Sequence, residues 1–575
     1  MTERIYLLIK KLEEKKSLQV LILIIIFVLA LGFRFINLGG NALTDGEAEI
    51  AMQALRLAEG TRTVVGSQLA TLSLASISFF LFDSNNFLAR FWPALFGALI
   101  VIIPFLFRER IGWLTALLSS LFLSISPEMV GLSRWIGSSM AAMVFLLLGL
   151  GFAYIKKPIL FGFCLAMGLM SGPGFWVGLL IIGLTGLISS YLFKFINIQE
   201  IHAQLKKRGF WRSSGIAFGV TLLIVGTGFF RTPYSLSGIF SGFIEFIYGF
   251  KQSYSASRLL MVLALFVYSS GALIFGIWGS IRGLIIKDQA ACFLLVWWFL
   301  GLLFIVLYPN SAPADIIWVT FPLWILAASV FLRAFHLPEG GKSAVIITAI
   351  IVIVLSAFMM LILRSILQYA PGQDEQTSYL IALLGGVLLL IALILIVSFG
   401  WSENTAITGL LIGSLVVVWL SLIAVSVNST GIRAERSQEH WFLDEKVYST
   451  RWLEKSIEDV MDWNSRRDSA IDIVVSGFES PAMEWVMQSY ENVQFVSFLS
   501  PQSQPGILIT PIDSIPEISN SYRGQDLVWS QIVNWESLTP YQYFNWMITR
   551  EVPESNQEII FWVRTDLMPD AQITD

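Results

Sequence analysis

The sequence predicts a polytopic α-helical membrane protein with a soluble α/β domain at its C-terminal end. Of its 575 residues, 55% are hydrophobic and only 14% are charged, and the mean hydropathy is +0.71. Apolar runs long enough to cross a bilayer recur from residue 18 to residue 427. After Asn428 charged and polar residues become frequent, and no later run is long and apolar enough to cross a membrane. These observations divide the chain into a transmembrane domain, 1–427, and a soluble domain, 428–575.

The first predicted span covers about residues 18 to 38 and follows a cluster of lysines between residues 10 and 16. Basic residues mark cytoplasmic loops, so we expect the N-terminus in the cytoplasm. Further spans are predicted near 88–107, 112–126, 138–155, 158–171, 175–193, 213–230, 258–280, 290–308, 314–333, 343–363, 378–399 and 404–427. About 13 crossings put the C-terminal domain on the extracytoplasmic side of the plasma membrane.

The segment 64–82 is apolar enough to be a further span. Counted as a span, it would move nearly every later basic loop to the outside, against the charge rule. We therefore favour a helix that lies on or dips into the outer leaflet, within a first outer loop of about residues 39–87. The alternative is a true span with inverted topology downstream.

The C-terminal domain contains short runs rich in β-branched residues, which alternate with helical patterns. Strands are predicted at Ile471–Val475, Val493–Val496, Gly506–Thr510 and Ile559–Val563. Helices are predicted at Val447–Trp463 and Pro481–Ser489. This alternation is typical of a small α/β domain.

An acidic pair opens the first outer loop directly after the first span. Asp45 and Glu47 stand where a carboxylate is outside the hydrocarbon layer and still within reach of a lipid headgroup. The same residues also fit a helix capping box, with Thr44 as N-cap and Glu47 reaching back. Arg34, near the end of the span, is expected to snorkel to the surface or to pair with Asp45 or Glu47.

Several motifs occur in order between residues 30 and 155. They are Thr44-Asp45-Gly46-Glu47-Ala48, Asn86-Phe87-Leu88-Ala89-Arg90-Phe91, Arg108-Glu109-Arg110 and the Ser126-Pro127 turn followed by Ser133-Arg134. In this order the chain resembles the membrane glycosyltransferases of the GT-C fold. It is most similar to the protein O-mannosyltransferase and aminoarabinose-transferase type, glycosyltransferase family 39.

The resemblance implies transfer of a sugar from a polyprenyl-phosphate donor to an extracytoplasmic acceptor, which is a protein, a lipid or a glycan. Asp45 is the implied general base and Glu47 its orienter or substitute. The leaving phosphate needs cations, and Arg134, Arg90 and Arg258 are the candidates. No cofactor beyond the lipid-linked donor is expected, and the three histidines have no metal-ligand spacing. The expected partners are membrane lipid and the donor, and no nucleic acid.

The chain departs from the family pattern at three places. Gly46 separates the two acids, no acid follows Ser133-Arg134 closely, and Ala312-Pro313-Ala314-Asp315 stands where the family has Arg-Tyr. A GT-C-like protein that binds a lipid-linked glycan or scaffolds envelope assembly without catalysis is therefore the alternative. A transporter fits less well, because charges cluster at the span ends. Glu245 and Asp315 are possible second acids, although each is expected to be a solvated loop charge.

Overall fold

The computed structural model describes residues 16–193, 208–252, 258–335, 341–369, 373–430, 439, 445–464, 471–500, 502–514 and 521–568. The first eleven helices are α1 (Lys16–Phe35), α2 (Asp45–Glu59), α3 (Leu69–Phe82), α4 (Asn86–Ala98), α5 (Ile102–Leu106), α6 (Arg108–Ile111), α7 (Trp113–Ile125), α8 (Pro127–Ser133), α9 (Met140–Tyr154), α10 (Pro158–Leu169) and α11 (Pro173–Phe193). The bundle continues with α12 (Arg208–Gly226), α13 (Gly238–Tyr248), α14 (Arg258–Ile286), α15 (Gln289–Leu307), α16 (Ile317–Phe331), α17 (Lys342–Ile366), α18 (Asp374–Gly400) and α19 (Glu403–Ser429).

The chain is a multi-pass membrane protein, and each predicted span coincides with one of these helices, except that 88–107 covers α4 and α5 together. In the part of the chain that the structure describes, ten helices are long and apolar enough to cross a membrane. The number rises to eleven if α7 and α8, which meet at 57°, form one span. This is below the predicted number because α9 and α10 contain only 15 and 12 residues. The fold class itself is confirmed.

Helix α3 occupies the ambiguous segment of the first loop. Its 14 residues extend over about 21 Å, which is less than the hydrocarbon thickness of about 30 Å. Most of its side chains are buried, from Leu69 to Phe79, against α2, α4 and α12. A helix of this length supports the non-spanning interpretation, which stays a prediction. Its packing differs from the expected surface helix because protein, rather than lipid, covers most of it.

The soluble domain is built on a six-stranded mixed sheet with the strand order β1-β5-β6-β4-β2-β3. The strands are β1 (Lys446–Val447), β2 (Ile473–Ser476), β3 (Val493–Val496), β4 (Ile507–Pro511), β5 (Tyr522–Ile532) and β6 (Ser555–Arg564), and the helices are α20 (Thr450–Asn464), α21 (Pro481–Met487) and α22 (Pro540–Thr549). Strand β2 pairs parallel with β3 and β4, whereas β6 pairs antiparallel with β4 and β5, and β5 pairs antiparallel with β1.

All four predicted strands are present within a few residues of their expected positions. Strand β5, the longest of the sheet, was not predicted. Its first half, Tyr522-Arg523-Gly524-Gln525-Asp526, is polar and largely exposed, so it lacks the apolar run that marks a buried strand. The strand forms because it pairs with β6 along its whole length.

The soluble domain rests on the first loop through α21, which packs against α2. The indole Nε1 of Trp485 donates to Asn86 Oδ1 at 2.7 Å, and its ring lies 5.7 Å from that of Phe79. Arg56 forms an ion pair with Glu484 at 3.2 Å. We call this face of the helical bundle the soluble-domain side.

Candidate active site

The first span ends in a buried arginine whose two terminal nitrogens bind backbone carbonyls. Arg34 is 0% exposed, and its two terminal nitrogens donate to the carbonyl oxygens of Ala30, Leu123, Ser124 and Met129. The expectation that Arg34 snorkels or pairs with Asp45 or Glu47 is therefore wrong. Its guanidinium joins the end of α1 to the turn between α7 and α8.

The predicted capping box is present at the start of α2. The backbone N–H of Glu47 donates to Thr44 Oγ1 at 3.3 Å, and the Thr44 N–H donates to Glu47 Oε2 at 3.2 Å. The helix ends at Gly60, whose φ of +81° is the left-handed conformation that glycine adopts easily. This local chemistry fixes the direction in which the first-turn acids leave the helix.

Glu47 is buried, and Arg90 neutralises it. Arg90 Nε donates to Glu47 Oε1 at 2.8 Å, and Arg90 Nη2 contacts Glu47 Oε2. The remaining donors of Arg90 reach the carbonyl oxygens of Leu38, Asn41 and Ala42. Because these groups occupy the guanidinium, Arg90 holds residues 38–42 to the start of α4. The phosphate-binding role predicted for Arg90 stays a prediction, without a contact that favours it.

Arg134 is engaged in the same way. Its terminal nitrogens donate to five backbone carbonyls, those of Phe33, Arg34, Ile36, Asn37 and Thr430, at 2.7–3.4 Å. Burial and the positive charge of Arg90 lower the pKa of Arg134 to about 10, whereas Glu47 raises it. The side chain is therefore still charged at neutral pH, and it joins the end of α1 to the end of α19. Its predicted phosphate contact also stays a prediction.

Asp45 is half-buried and points toward the soluble domain. Its Oδ1 accepts a hydrogen bond from Ser480 Oγ at 2.6 Å and another from the Ala482 N–H at 2.9 Å. In the part of the chain that the structure describes, Asp45 Oδ2 receives no hydrogen bond. One carboxylate oxygen is therefore held by the soluble domain, and the other is available to a hydroxyl donor.

Of the three predicted phosphate ligands, Arg258 is the one whose side chain is not engaged by other described residues. It begins α14 and is exposed on the soluble-domain side, and no hydrogen bond or ion pair joins it to another described residue. The adjoining residues 253–257 lie outside the described ranges.

The two possible second acids differ in environment. Asp315 is only 6% exposed, and it accepts hydrogen bonds from Ser139 Oγ at 3.2 Å and from the Ala312 N–H at 3.0 Å. The interpretation of Asp315 as a solvated loop charge is therefore wrong. Glu245 has an exposed side chain, although desolvation by its neighbours raises its pKa against the opposing effect of a hydrogen bond from Ser67.

The negative charges of both acids act on Tyr308. Its pKa is raised to about 12, first by burial and then by the negative charges of Asp315 and Glu245, against a hydrogen bond with Asn310. Ser139, which binds Asp315, ends a short loop whose other part is held by Glu47 through the Ile136 N–H at 3.4 Å. The loop 134–139 therefore runs between the two acidic groups of the site.

Ser480 is the site residue that sequence analysis missed. The Ser480-Pro481 pair signals a helix start, and Ser480 Oγ indeed accepts from the Met483 N–H at 3.2 Å. Nothing in that signal points to Asp45, which lies 435 residues away in the chain. Within the described ranges, no group of three or more His, Cys, Asp or Glu side chains is arranged to hold a metal ion.

Comparison with solved structures identifies the fold. ArnT from Cupriavidus metallidurans bound to undecaprenyl phosphate matches with a TM-score of 0.53 and 13% identity, over 95% of this chain and 99% of that chain. The apo state of the same protein matches with a TM-score of 0.48 and 13% identity, over 95% of this chain and 98% of that chain. The archaeal oligosaccharyltransferase AglB from Archaeoglobus fulgidus matches with a TM-score of 0.40 and 12% identity, over 87% of this chain and 70% of that chain.

No protein-family model and no curated protein sequence matches the chain. The fold therefore rests on the match to ArnT with bound undecaprenyl phosphate, which extends over both the helical bundle and the sheet domain. The GT-C-like fold that the first 155 residues resemble is confirmed, and the chain shares its architecture with a membrane glycosyltransferase of that fold.

Proposed function

We propose that this protein is a membrane glycosyltransferase that moves a sugar from a polyprenyl-phosphate donor to an acceptor hydroxyl on the soluble-domain side. The single observation that carries the proposal is the state of Asp45. In a GT-C-like bundle, its carboxylate stands directly after the first span with Oδ1 held and Oδ2 available. The ArnT structure was solved with undecaprenyl phosphate bound, which supports a lipid phosphate as the donor's carrier.

In this mechanism Asp45 Oδ2 accepts the proton of the acceptor hydroxyl while the hydroxyl oxygen attacks the anomeric carbon of the donor. The bond between that carbon and the phosphate oxygen breaks, and the polyprenyl phosphate leaves with the electron pair. The transition state resembles an oxocarbenium ion, as in glycoside hydrolysis. The phosphate–sugar bond supplies the activation, so no step requires a further cofactor.

The other charged residues of the site have two different roles in this proposal. Glu47, Arg90 and Arg134 hold the end of α1, the first-loop residues 38–42 and the loop 134–139 in register with Asp45. Arg258 is exposed and is our candidate for the leaving phosphate, which an arginine binds through paired hydrogen bonds. Glu47 as a substitute base is not favoured, because Arg90 occupies both of its carboxylate oxygens.

The test is sugar transfer by the purified protein in lipid bilayers, with a panel of labelled polyprenyl-phosphate sugars. Asp45→Asn is expected to lower turnover by at least about a hundredfold, within the usual contribution of a general base. Glu49→Gln is the matched control, because Glu49 is an exposed acid on the same helix, and it should retain turnover. Undiminished transfer by Asp45→Asn would remove Asp45 from the mechanism.

The second candidate is a catalytically degenerate GT-C-like protein that binds a lipid-linked glycan or scaffolds envelope assembly. It is favoured by the observation that the fold uses both acids of the pair that opens the first loop, Asp45 against α21 and Glu47 against Arg90. Saturable binding of polyprenyl phosphate without turnover of any donor would support this candidate over the first.

A further inference from the structure

We infer that Ser480 is a positioning residue for Asp45, so that the soluble domain completes the active site rather than only covering it. This inference rests on the proposed function. Ser480 Oγ lies 2.6 Å from Asp45 Oδ1, and the Ala482 N–H approaches the same oxygen at 2.9 Å. Hydrogen bonds to a carboxylate are short and strong, and two of them on one oxygen restrict rotation of the whole group.

The hydroxyl of Ser480 performs two separable tasks. As N-cap of α21, its oxygen accepts a hydrogen bond from the Met483 N–H at 3.2 Å. Its hydrogen is then available for donation to Asp45. Capping requires only an acceptor, whereas positioning Asp45 requires a donor. A residue that caps but cannot donate therefore separates the structural role from the positioning role.

The donors reach Asp45 from a helix that is fixed on the bundle. Trp485 binds Asn86 on one side of α21, and Glu484 binds Arg56 on the other. Ser480 is only 4% exposed, so water does not compete freely for its hydroxyl. This anchoring keeps Asp45 Oδ1 occupied and leaves Oδ2 for the acceptor, as expected for a base whose orientation is set by a third group.

The decisive comparison is Ser480→Asn against Ser480→Asp in the full-length protein. Both side chains are good N-caps and have the same size, but only the Asn amide can donate to Asp45. We expect Ser480→Asp to lower kcat by about ten- to hundredfold, from the loss of a hydrogen bond to a charged group. Ser480→Asn should stay within about threefold of the wild type, because one neutral donor replaces another. The KM for the donor should change little in either variant, because the bond orients the base and does not contact the donor.

Two further variants protect the comparison. Ser480→Gly removes the donor without adding charge, and glycine is tolerated at an N-cap, so it should lose turnover even if Ser480→Asp fails to fold. Glu479→Gln changes an exposed acid next to Ser480 and removes neither hydrogen bond to Asp45, so it should leave kcat unchanged.

Equal turnover in Ser480→Asn, Ser480→Asp and Ser480→Gly would overturn the inference while the wild-type activity still supports the proposed function. An equal loss in Glu479→Gln would also overturn it, because a general disturbance of this turn, rather than loss of the Ser480 donor, would then explain the effect. A wild type that transfers no sugar from any donor would instead remove the proposed function, and this inference with it.

Discussion

Replacement of Arg90 by leucine should show that Arg90, which the sequence offers as a phosphate ligand, stabilises the fold. Arg90 and Glu47 form a buried pair whose side chains are 9% and 3% exposed. In Arg90→Leu, the Glu47 carboxylate loses its counter-charge, and three backbone carbonyls lose a donor. Breaking a buried pair by removing one partner costs about 3–5 kcal/mol, so we expect a loss of unfolding free energy in this range.

The assay is equilibrium unfolding of the purified protein in mixed micelles with increasing denaturing detergent, followed by tryptophan fluorescence. Arg62→Leu is the matched control, because Arg62 is an exposed arginine of the first outer loop and its replacement should change the unfolding free energy by no more than about 0.5 kcal/mol. Adding Glu47→Gln to Arg90→Leu removes the uncompensated charge and should recover part of the stability. Arg90→Leu with wild-type stability, or a double variant no more stable than the single one, would refute this reasoning.

Three further predictions concern other parts of the chain. Arg134→Ala removes five hydrogen bonds to backbone carbonyls, and it should lower the thermal unfolding temperature strongly, whereas a residue used only for phosphate would leave it unchanged. Gly162→Ala places a Cβ 2.1 Å from the backbone oxygen of Ser214, so it should push α10 from α12 and lower the same temperature, while Gly183→Ala meets no atom within 4 Å and should not. Burial raises the pKa of Glu454 in the folded state, so the contribution of Glu454 to stability is lost as the pH rises above its unfolded pKa of about 4.3. Glu454→Gln should therefore stabilise the protein at pH 7 but not at pH 4. Equal effects at the two pH values would contradict the burial argument.

The sequence determined those features that depend on neighbours in the chain. Hydropathy located the long apolar helices of the bundle, and the change of composition after Asn428 located the soluble domain. The capping box at Thr44 could be read because capping involves residues three positions apart. Strands β2, β4 and β6 could be read because buried strands carry a continuous apolar run, and β3 because it is rich in β-branched and aromatic residues.

Only the tertiary structure decided what the polar side chains of the site contact. An arginine at the end of a span has the same sequence signature whether it meets lipid phosphate or backbone carbonyls, and Arg90 and Arg134 meet carbonyls. Asp315 looks like a loop charge in the sequence, but the turn that carries it packs against α8, α14 and α15, and the side chain is buried. Asp45 and Ser480 are joined across 435 residues, and no local pattern can encode a contact formed when two domains pack together. Hydrogen bonds of this kind depend on distances between residues in the folded chain, and those distances are known only once the tertiary structure is known.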